Sequence, residues 1–323
     1  MSDPIVSVKD LCREYRHVKA LDGVSLTLER DKIYGLLGRN GAGKTTLMSI
    51  LTAQGFASSG EVTVFGEHPY ENEKVLSRIC FIRESQKYPD DFKPLHAFRA
   101  AALFYRNWNN ELAMQLAEDF GLPLKRRIKK LSRGQLSAVG IIIGLASRAE
   151  LTFFDEPYLG LDAVARALFY DRLLADYSQY PRTIVLSSHL IDEVANLLEH
   201  VIIIDKGRIL VDDDAENIRG SAVNVSGASA AVESFAAGRA VIHRESLGGI
   251  ASLTIDGALS LDERREAKEL GLELGAVSLQ QIVIGKTLEA GRVMNAPPQH
   301  GRPHGGRVQG GPETDLKTVT GAK

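Results

Sequence analysis

A chain of 323 residues is long enough for one large domain or two, each with a full core. Its 44 % hydrophobic and 25 % charged residues are ordinary for a soluble globular protein, and a net charge of −2 gives no reason to expect bulk nucleic-acid or membrane-surface binding. No apolar run approaches the ~20 residues that span a bilayer, Met1-Ser2-Asp3-Pro4 lacks the features of a secretion signal, and Cys12 and Cys80 are too few for a disulfide scaffold or zinc site. Together these predict a soluble, cytoplasmic protein.

In chain order, Ile5 to Val8 and Val24 to Leu28 read as strands, with the polar stretch Arg13-Glu14-Tyr15-Arg16-His17 between them. Ile33 to Leu37 reads as a buried strand and Thr45 to Leu51 as a helix. Between them, Gly38-Arg39-Asn40-Gly41-Ala42-Gly43-Lys44-Thr45-Thr46 fits G-x-x-x-x-G-K-[ST], a phosphate-binding loop. Such a loop converges backbone N–H groups on an anion, with the positive end of the following helix behind them. Lys44 would reach the β/γ-phosphates and Thr45 would hold Mg²⁺.

Ser58-Ser59-Gly60 marks a turn and Glu61 to Phe65 a strand. Val75 to Ile82 leads into a loop over Arg83 to Asp91. Leu95 to Gly121 is helical, with Leu112, Leu116 and Phe120 at helical spacing. The basic run Lys125 to Lys130 reads as a solvated face. In Leu131-Ser132-Arg133-Gly134-Gln135, Ser132 and Gly134 stand where a hydroxyl and an unhindered N–H open a helix running through Ala146.

Leu151 to Pro157 is a buried strand ending in Asp155 and Glu156, two carboxylates at the strand end where α/β sheets bind ligands. Leu161-Asp162 precedes a helix from Ala163 to Tyr177. Thr183 to Leu186 is a strand whose end, Ser187-Ser188-His189, reaches the same crevice, and Val201 to Asp205 with Arg208 to Val211 form a hairpin. After Gly220-Ser221 the pattern restarts as a small module of β-α-β-β-α-β type, with strands at Ala222 to Val225, Val241 to His243 and Ser252 to Ile255. Its helices are Ala230 to Ala237 and Ser260 to Leu270, the latter with a Ser260–Glu263 capping box, and Ala276 to Ile284 closes it. From Gly291 onward glycine, proline and polar residues predict a disordered tail.

In this order and at these spacings the motifs resemble the ATP-binding subunit of an ABC transporter, of bacterial exporter-like type, over residues 5 to 212. The resemblance implies an α/β fold: a P-loop NTPase core over 1–219 with a helical subdomain at about 84–145. A small α+β C-terminal module (220–290) and a disordered tail (291–323) follow. It implies that Tyr15 stacks on adenine and that Gly38, Arg39, Asn40, Gly41, Ala42, Gly43, Lys44, Thr45 and Thr46 form the Walker A loop. Leu131 to Gln135 is similar to the signature normally read LSGGQ, whose Ser132, Gly134 and Gln135 would bind the γ-phosphate of ATP held by the opposite subunit. Asp155 would assist Mg²⁺, Glu156 would act as general base, Asp162 belongs to the D-loop, and His189 would contact the γ-phosphate.

Two positions depart from that pattern. Ile82-Arg83-Glu84 stands where the glutamine loop is expected, leaving Glu84 and Gln86 as alternatives for its Mg²⁺-contacting residue, and Arg133 replaces the middle glycine of the signature. The resemblance implies an ATPase that pairs with a second ATP-binding subunit, as a homodimer or a heterodimer. The pair would drive a separately encoded transmembrane permease at the inner face of the cell membrane. Two other readings stay open: a soluble ABC ATPase acting on ribosomes or nucleic acid, against which a single phosphate loop counts, and a non-hydrolysing ATP-binding regulatory subunit, motivated by Glu84 and Arg133.

Overall fold

The computed structural model describes residues 3–84 and 86–294. Strands β1 (Val6–Tyr15) and β2 (Val18–Leu28) pair antiparallel across a tight turn. Both outrun the expected strands, because the polar residues around Tyr15 lie on a partly solvated stretch of ladder whose inner positions include Val6, Val8 and Leu11. Next come β3 (Ile33–Leu37), α1 (Lys44–Leu51), β4 (Ser59–Val64), α2 (Glu73–Leu76) and β5 (Ile79–Arg83). β4 adds to β1, giving a three-stranded antiparallel sheet in the order β2-β1-β4.

The expected helical stretch divides into α3 (Pro94–Phe104) and α4 (Asn110–Asp119). The break comes where Asn109 caps α4 by accepting a hydrogen bond from the Leu112 N–H. Helix α5 (Arg133–Ala146) opens on Ser132 as anticipated, with Gln135 completing a capping box. Then follow β6 (Leu151–Asp155), α6 (Ala163–Gln179), β7 (Thr183–Ser188), α7 (Ile191–Val194), β8 (His200–Asp205), β9 (Arg208–Asp214) and α8 (Ala215–Gly220). The main sheet runs β5-β6-β7-β3-β8-β9, parallel except for β9, which returns antiparallel through the expected hairpin.

Side-chain alternation sorts this sheet's apolar runs onto two cores, as both faces are covered. Tyr34, Leu36, Phe153, Val185 and Ile202 face α1 and the antiparallel sheet. Leu37, Ile82, Phe154, Leu186 and Ile203 face the helices, meeting Phe98, Leu116, Ile142 and Phe169. Phe154 stands edge-on to Phe169, ring centroids 5.5 Å apart.

The C-terminal module has the expected β-α-β-β-α-β order: β10 (Ala222–Ala228), α9 (Ser229–Ala236), β11 (Val241–Leu247), β12 (Ile250–Asp256), α10 (Leu261–Glu269) and β13 (Glu273–Ala276). Its antiparallel sheet runs β11-β12-β10-β13 and covers its own core of Val225, Val232, Phe235, Leu253 and Ala267. The segment Ala276 to Ile284 does not close that unit as expected. It leads instead into α11 (Leu279–Met294), whose Leu279, Ile282 and Val283, with Val277 before it, join the helix-side core of the larger domain. These residues are apolar because a different domain buries them, a destination that periodicity does not encode. The backbone of α11 runs four residues into the segment read as a tail, and the rest of that expectation, from 295, lies outside the described residues.

The division at 220 is therefore a proposal with a direct check. Burial of each such apolar side chain stabilises by about 1.5–3 kcal/mol, so a chain ending at 219 should melt at a markedly lower temperature. It should still show an ATP-dependent rise in melting temperature, because every residue expected to touch nucleotide precedes 190. A folded truncation with no ATP response would place part of the site in the C-terminal module.

Candidate functional site

The register of the parallel sheet sets the site. Leu37 pairs with Ser188, and Asp155 with Ser187, so the ends of β3, β7 and β6 lie side by side. Each strand hands its next residues into one crevice: the phosphate loop from β3, Glu156 from β6 and His189 from β7. The crevice encloses 540 Å³ and is lined by Ala20, Asn40 to Thr46, Glu84, Asp155, Glu156, Leu159 and His189.

The loop's shape excludes side chains. A Cβ on Gly38 would run into the carbonyl oxygen of Ile204, and one on Gly43 would lie 2.7 Å from the carbonyl oxygen of Ala20, at a φ of +115°. Gly43 begins α1 without any side-chain cap, so the helix's first N–H groups are left for a ligand. Lys44 is only 5 % exposed. Its Nζ donates to the carbonyl oxygens of Gly38 at 2.7 Å and Arg39 at 3.3 Å, and lies 3.3 Å from Glu156 Oε1. A buried ammonium, uncapped amides and a glycine cradle fit a polyphosphate.

Asp155 is held from two sides. Thr45 Oγ1 donates to its Oδ2 and Ser187 Oγ to its Oδ1, both at 2.7 Å. A hydroxyl and a carboxylate in contact make a hard oxygen donor pair of the kind that suits Mg²⁺ beside phosphate oxygens. Glu156 stands at a left-handed φ of +49°, uncommon for a glutamate and a sign of local strain. Its N–H donates to Ser187 Oγ at 3.0 Å, and its Oε2 lies 2.5 Å from His189 Nδ1. With Lys44 on its other oxygen, one carboxylate joins the two side chains expected to meet a γ-phosphate.

The remaining expected residues divide. Tyr15 is 48 % exposed, does not line the crevice, and carries the Arg13 guanidinium 4.3 Å from its ring centroid. Ser132, Gly134, Gln135 and Asp162 gather at a second place, outside the crevice. A Cβ on Gly134 would lie 2.6 Å from the carbonyl oxygen of Gly160, Ser137 Oγ donates to the Leu159 carbonyl at 2.6 Å, and Asp162 caps α6 through the Ala165 N–H. Gln135 turns its side-chain oxygen to the Ser132 N–H, as the capping box requires. Glu84 lines the crevice whereas Gln86 does not, and Arg133 Nη2 reaches Glu84 Oε1 at 3.3 Å.

Two groups were passed over in the sequence. Ser187 and Ser188 carried a signal, as hydroxyls at a strand end beside His189: Ser187 reaches Asp155 and Ser188 the Tyr158 hydroxyl. Tyr158 carried none: an aromatic three residues past a buried strand reads as core filling. Its hydroxyl nonetheless reaches Glu156 Oε2 at 3.4 Å, Ser188 Oγ at 3.1 Å and His189 Nδ1 at 3.3 Å. Burial pushes its pKa up to about 12, so it stays a neutral hydroxyl at ordinary pH.

A family model described as ABC transporter matches residues 21–159. An ABC transporter ATP-binding protein of Bacillus subtilis, YcbN, is 30 % identical over 223 residues, covering 67 % of this chain and 71 % of its own length. This chain belongs to the ATP-binding subunits of ABC transporters. The bacitracin transport ATP-binding protein BcrA of Bacillus licheniformis is 29 % identical over 218 residues, covering 67 % of this chain and 71 % of the relative. Among solved structures, a dimeric ATP-binding cassette in a post-hydrolysis state bound to ADP and Pi superposes with a TM-score of 0.58 at 19 % identity, over 65 % of this chain and 98 % of that one. The large domain therefore has the ABC ATPase fold, and none of these matches extends over the whole chain.

For this ABC subunit the first check is Lys44. Ligand binding stabilises a protein by mass action, ~2.7 kcal/mol at a hundredfold excess over Kd, so ATP should raise the melting temperature of the wild type. Lys44→Ala removes the buried cation from the phosphates and should abolish most of that rise. An equal ATP-dependent rise in both proteins would take Lys44 out of the site.

Proposed function

We propose that this chain is an ATP-hydrolysing subunit that pairs around two ATP molecules and drives a separately encoded membrane permease of exporter type, held at the inner membrane face by that permease. The observation that carries the reading is the division of the site. The crevice gathers the phosphate loop, Asp155, Glu156 and His189, while Ser132, Gly134 and Asp162 sit together outside it. A second subunit supplies a way for the second group to complete the first. The dimeric cassette with ADP and Pi supports that arrangement by analogy of fold, and BcrA, a bacitracin transport ATP-binding protein, supports a role in transport. Among the described residues no helix is long and apolar enough to cross a membrane.

In this reading the γ-phosphate of ATP takes over the contacts that Glu156 now makes with Lys44 and His189. Released, the Glu156 carboxylate orients a water molecule in line with the γ-phosphorus and accepts its proton as the new P–O bond forms and the bond to the ADP oxygen breaks. Lys44 and His189 stabilise the charge gathering on the transferred group. Mg²⁺, held by Thr45 with help from Asp155, would supply charge neutralisation across the phosphate oxygens. Tyr15 is retained as the adenine platform in this proposal, with Arg13 yielding its place over the ring.

Glu84 is the better candidate for the glutamine-loop position, since it alone of the two lines the crevice. Glu84→Ala should lower turnover while Gln86→Ala leaves it close to wild type. Steady-state kinetics of the two variants decide the matter, and the reverse pattern would transfer the role to Gln86.

The central test uses Glu156→Gln, which keeps the shape of the side chain but removes the base. Loss of a general base typically costs ~10²- to 10⁴-fold in rate, so bound ATP should persist and hold the pair together. With ATP, Glu156→Gln should run at twice the monomer mass in size exclusion with light scattering, and Ser132→Arg added to it should abolish the dimer. Unchanged ATP turnover in Glu156→Gln would refute the assignment of the base.

A further inference from the structure

We infer that Tyr158 is a positioning residue of this ATPase, its hydroxyl fixing Glu156 and His189 relative to one another across two different strands. The inference rests on the proposed hydrolytic reading. Tyr158 lies in the turn after β6 and is 2 % exposed, so its ring is core. The hydroxyl at the end of that ring is placed differently. It accepts the backbone N–H of His189 at 3.1 Å, tying the turn after β7 to the turn after β6. Three further groups surround it: Ser188 Oγ, His189 Nδ1 and Glu156 Oε2, at 3.1, 3.3 and 3.4 Å. Phenylalanine would fill the same space; only the hydroxyl reaches the ends of both strands.

That position gives the hydroxyl a role when nucleotide enters. Glu156 Oε2 and His189 Nδ1 lie 2.5 Å apart and hold each other. Once Glu156 turns to the attacking water, the imidazole loses that partner and is free to rotate about its side-chain bonds. The Tyr158 hydroxyl is then the neighbour still within hydrogen-bond distance of Nδ1, and the bond to the His189 N–H holds the backbone beneath it. Nε2 is thereby kept available for the γ-phosphate, since the ring's other nitrogen is engaged. The same hydroxyl lies within reach of Glu156 Oε2 and limits how far the carboxylate swings.

Tyr158→Phe tests this, because it deletes the hydroxyl and spares the ring. Misplacing a reacting group by an ångström costs up to about 100-fold in rate, and we expect kcat to fall about 10- to 100-fold. ADP affinity should stay near wild type, because ADP lacks the phosphate that His189 meets, and the melting temperature should fall only by the few degrees that one lost hydrogen bond implies. The preference for ATP over ADP should drop, and Tyr158→Phe added to His189→Ala should lower that preference little further, since both act through one side chain. Wild-type turnover and ATP preference in Tyr158→Phe would overturn the inference. So would a joint loss of ADP binding, melting temperature and turnover, the mark of a merely structural residue. If the wild type binds ATP but does not turn over, the ATP-over-ADP preference alone decides. A wild type that binds neither nucleotide overturns the ATPase reading itself, and the positioning role with it.

Discussion

Everything at the site depends on the order of three parallel strands. With β7 between β6 and β3, the phosphate loop, the Asp155–Glu156 pair and His189 leave the sheet as immediate neighbours. Hydrogen bonds along the sheet fix that spacing, and they are buried beneath side chains on both faces. Ser187 shows how tight the coupling is: from β7 it donates to Asp155 on β6 and accepts the N–H of Glu156. A slip of one residue in β6 would turn Asp155 to the other face of the sheet, because successive side chains alternate.

Charge balance then decides how the crevice is arranged. Lys44 is almost fully buried, and an unpaired buried ammonium is strongly destabilising. Two carbonyl oxygens and Glu156 Oε1 answer it, and Glu156 Oε2 engages His189. The carboxylate thus occupies electrostatically the place proposed for a γ-phosphate, so in that proposal ATP exchanges one anion for another and frees the base in the same movement. The left-handed backbone of Glu156 belongs to this picture, since strain at one residue persists where its neighbours hold it. Here Ser187 grips its N–H while Lys44 and His189 hold its carboxylate.

Much of this was legible in the sequence. β3 and α1 announced themselves because a buried strand, a glycine loop and a helix each have a distinct signature, and the Ser132 cap and the Ser260–Glu263 capping box follow from side-chain reach alone. The small module's order of elements was anticipated up to its last strand, with a capping box marking α10. Illegible were the features that depend on which element meets which. The apolar face of α11 reads as the end of its own module, yet it is buried by the larger domain. The Tyr158 hydroxyl looks like an incidental polar tip on a core ring until β6 and β7 are laid side by side.

The two departures from the family pattern also make sense only in three dimensions. Glu84 and Arg133 are 49 residues apart and carry opposite charges 3.3 Å from each other. Arg133 is 81 % exposed at its side chain, and exposed ion pairs of this kind contribute about 0–1 kcal/mol. Such a contact is too weak to anchor the helical subdomain. It is also cheap to break, and a phosphate carries more charge and more acceptor oxygens than one carboxylate. In the proposed dimer, Arg133 would therefore leave Glu84 for the ATP of the neighbouring subunit at little cost. Glu84, on the rim of its own crevice, would lose its partner in the same event. In that proposal, a residue that would face one nucleotide and a residue that would face the other are joined by a single breakable bond, which would couple the two sites through charge.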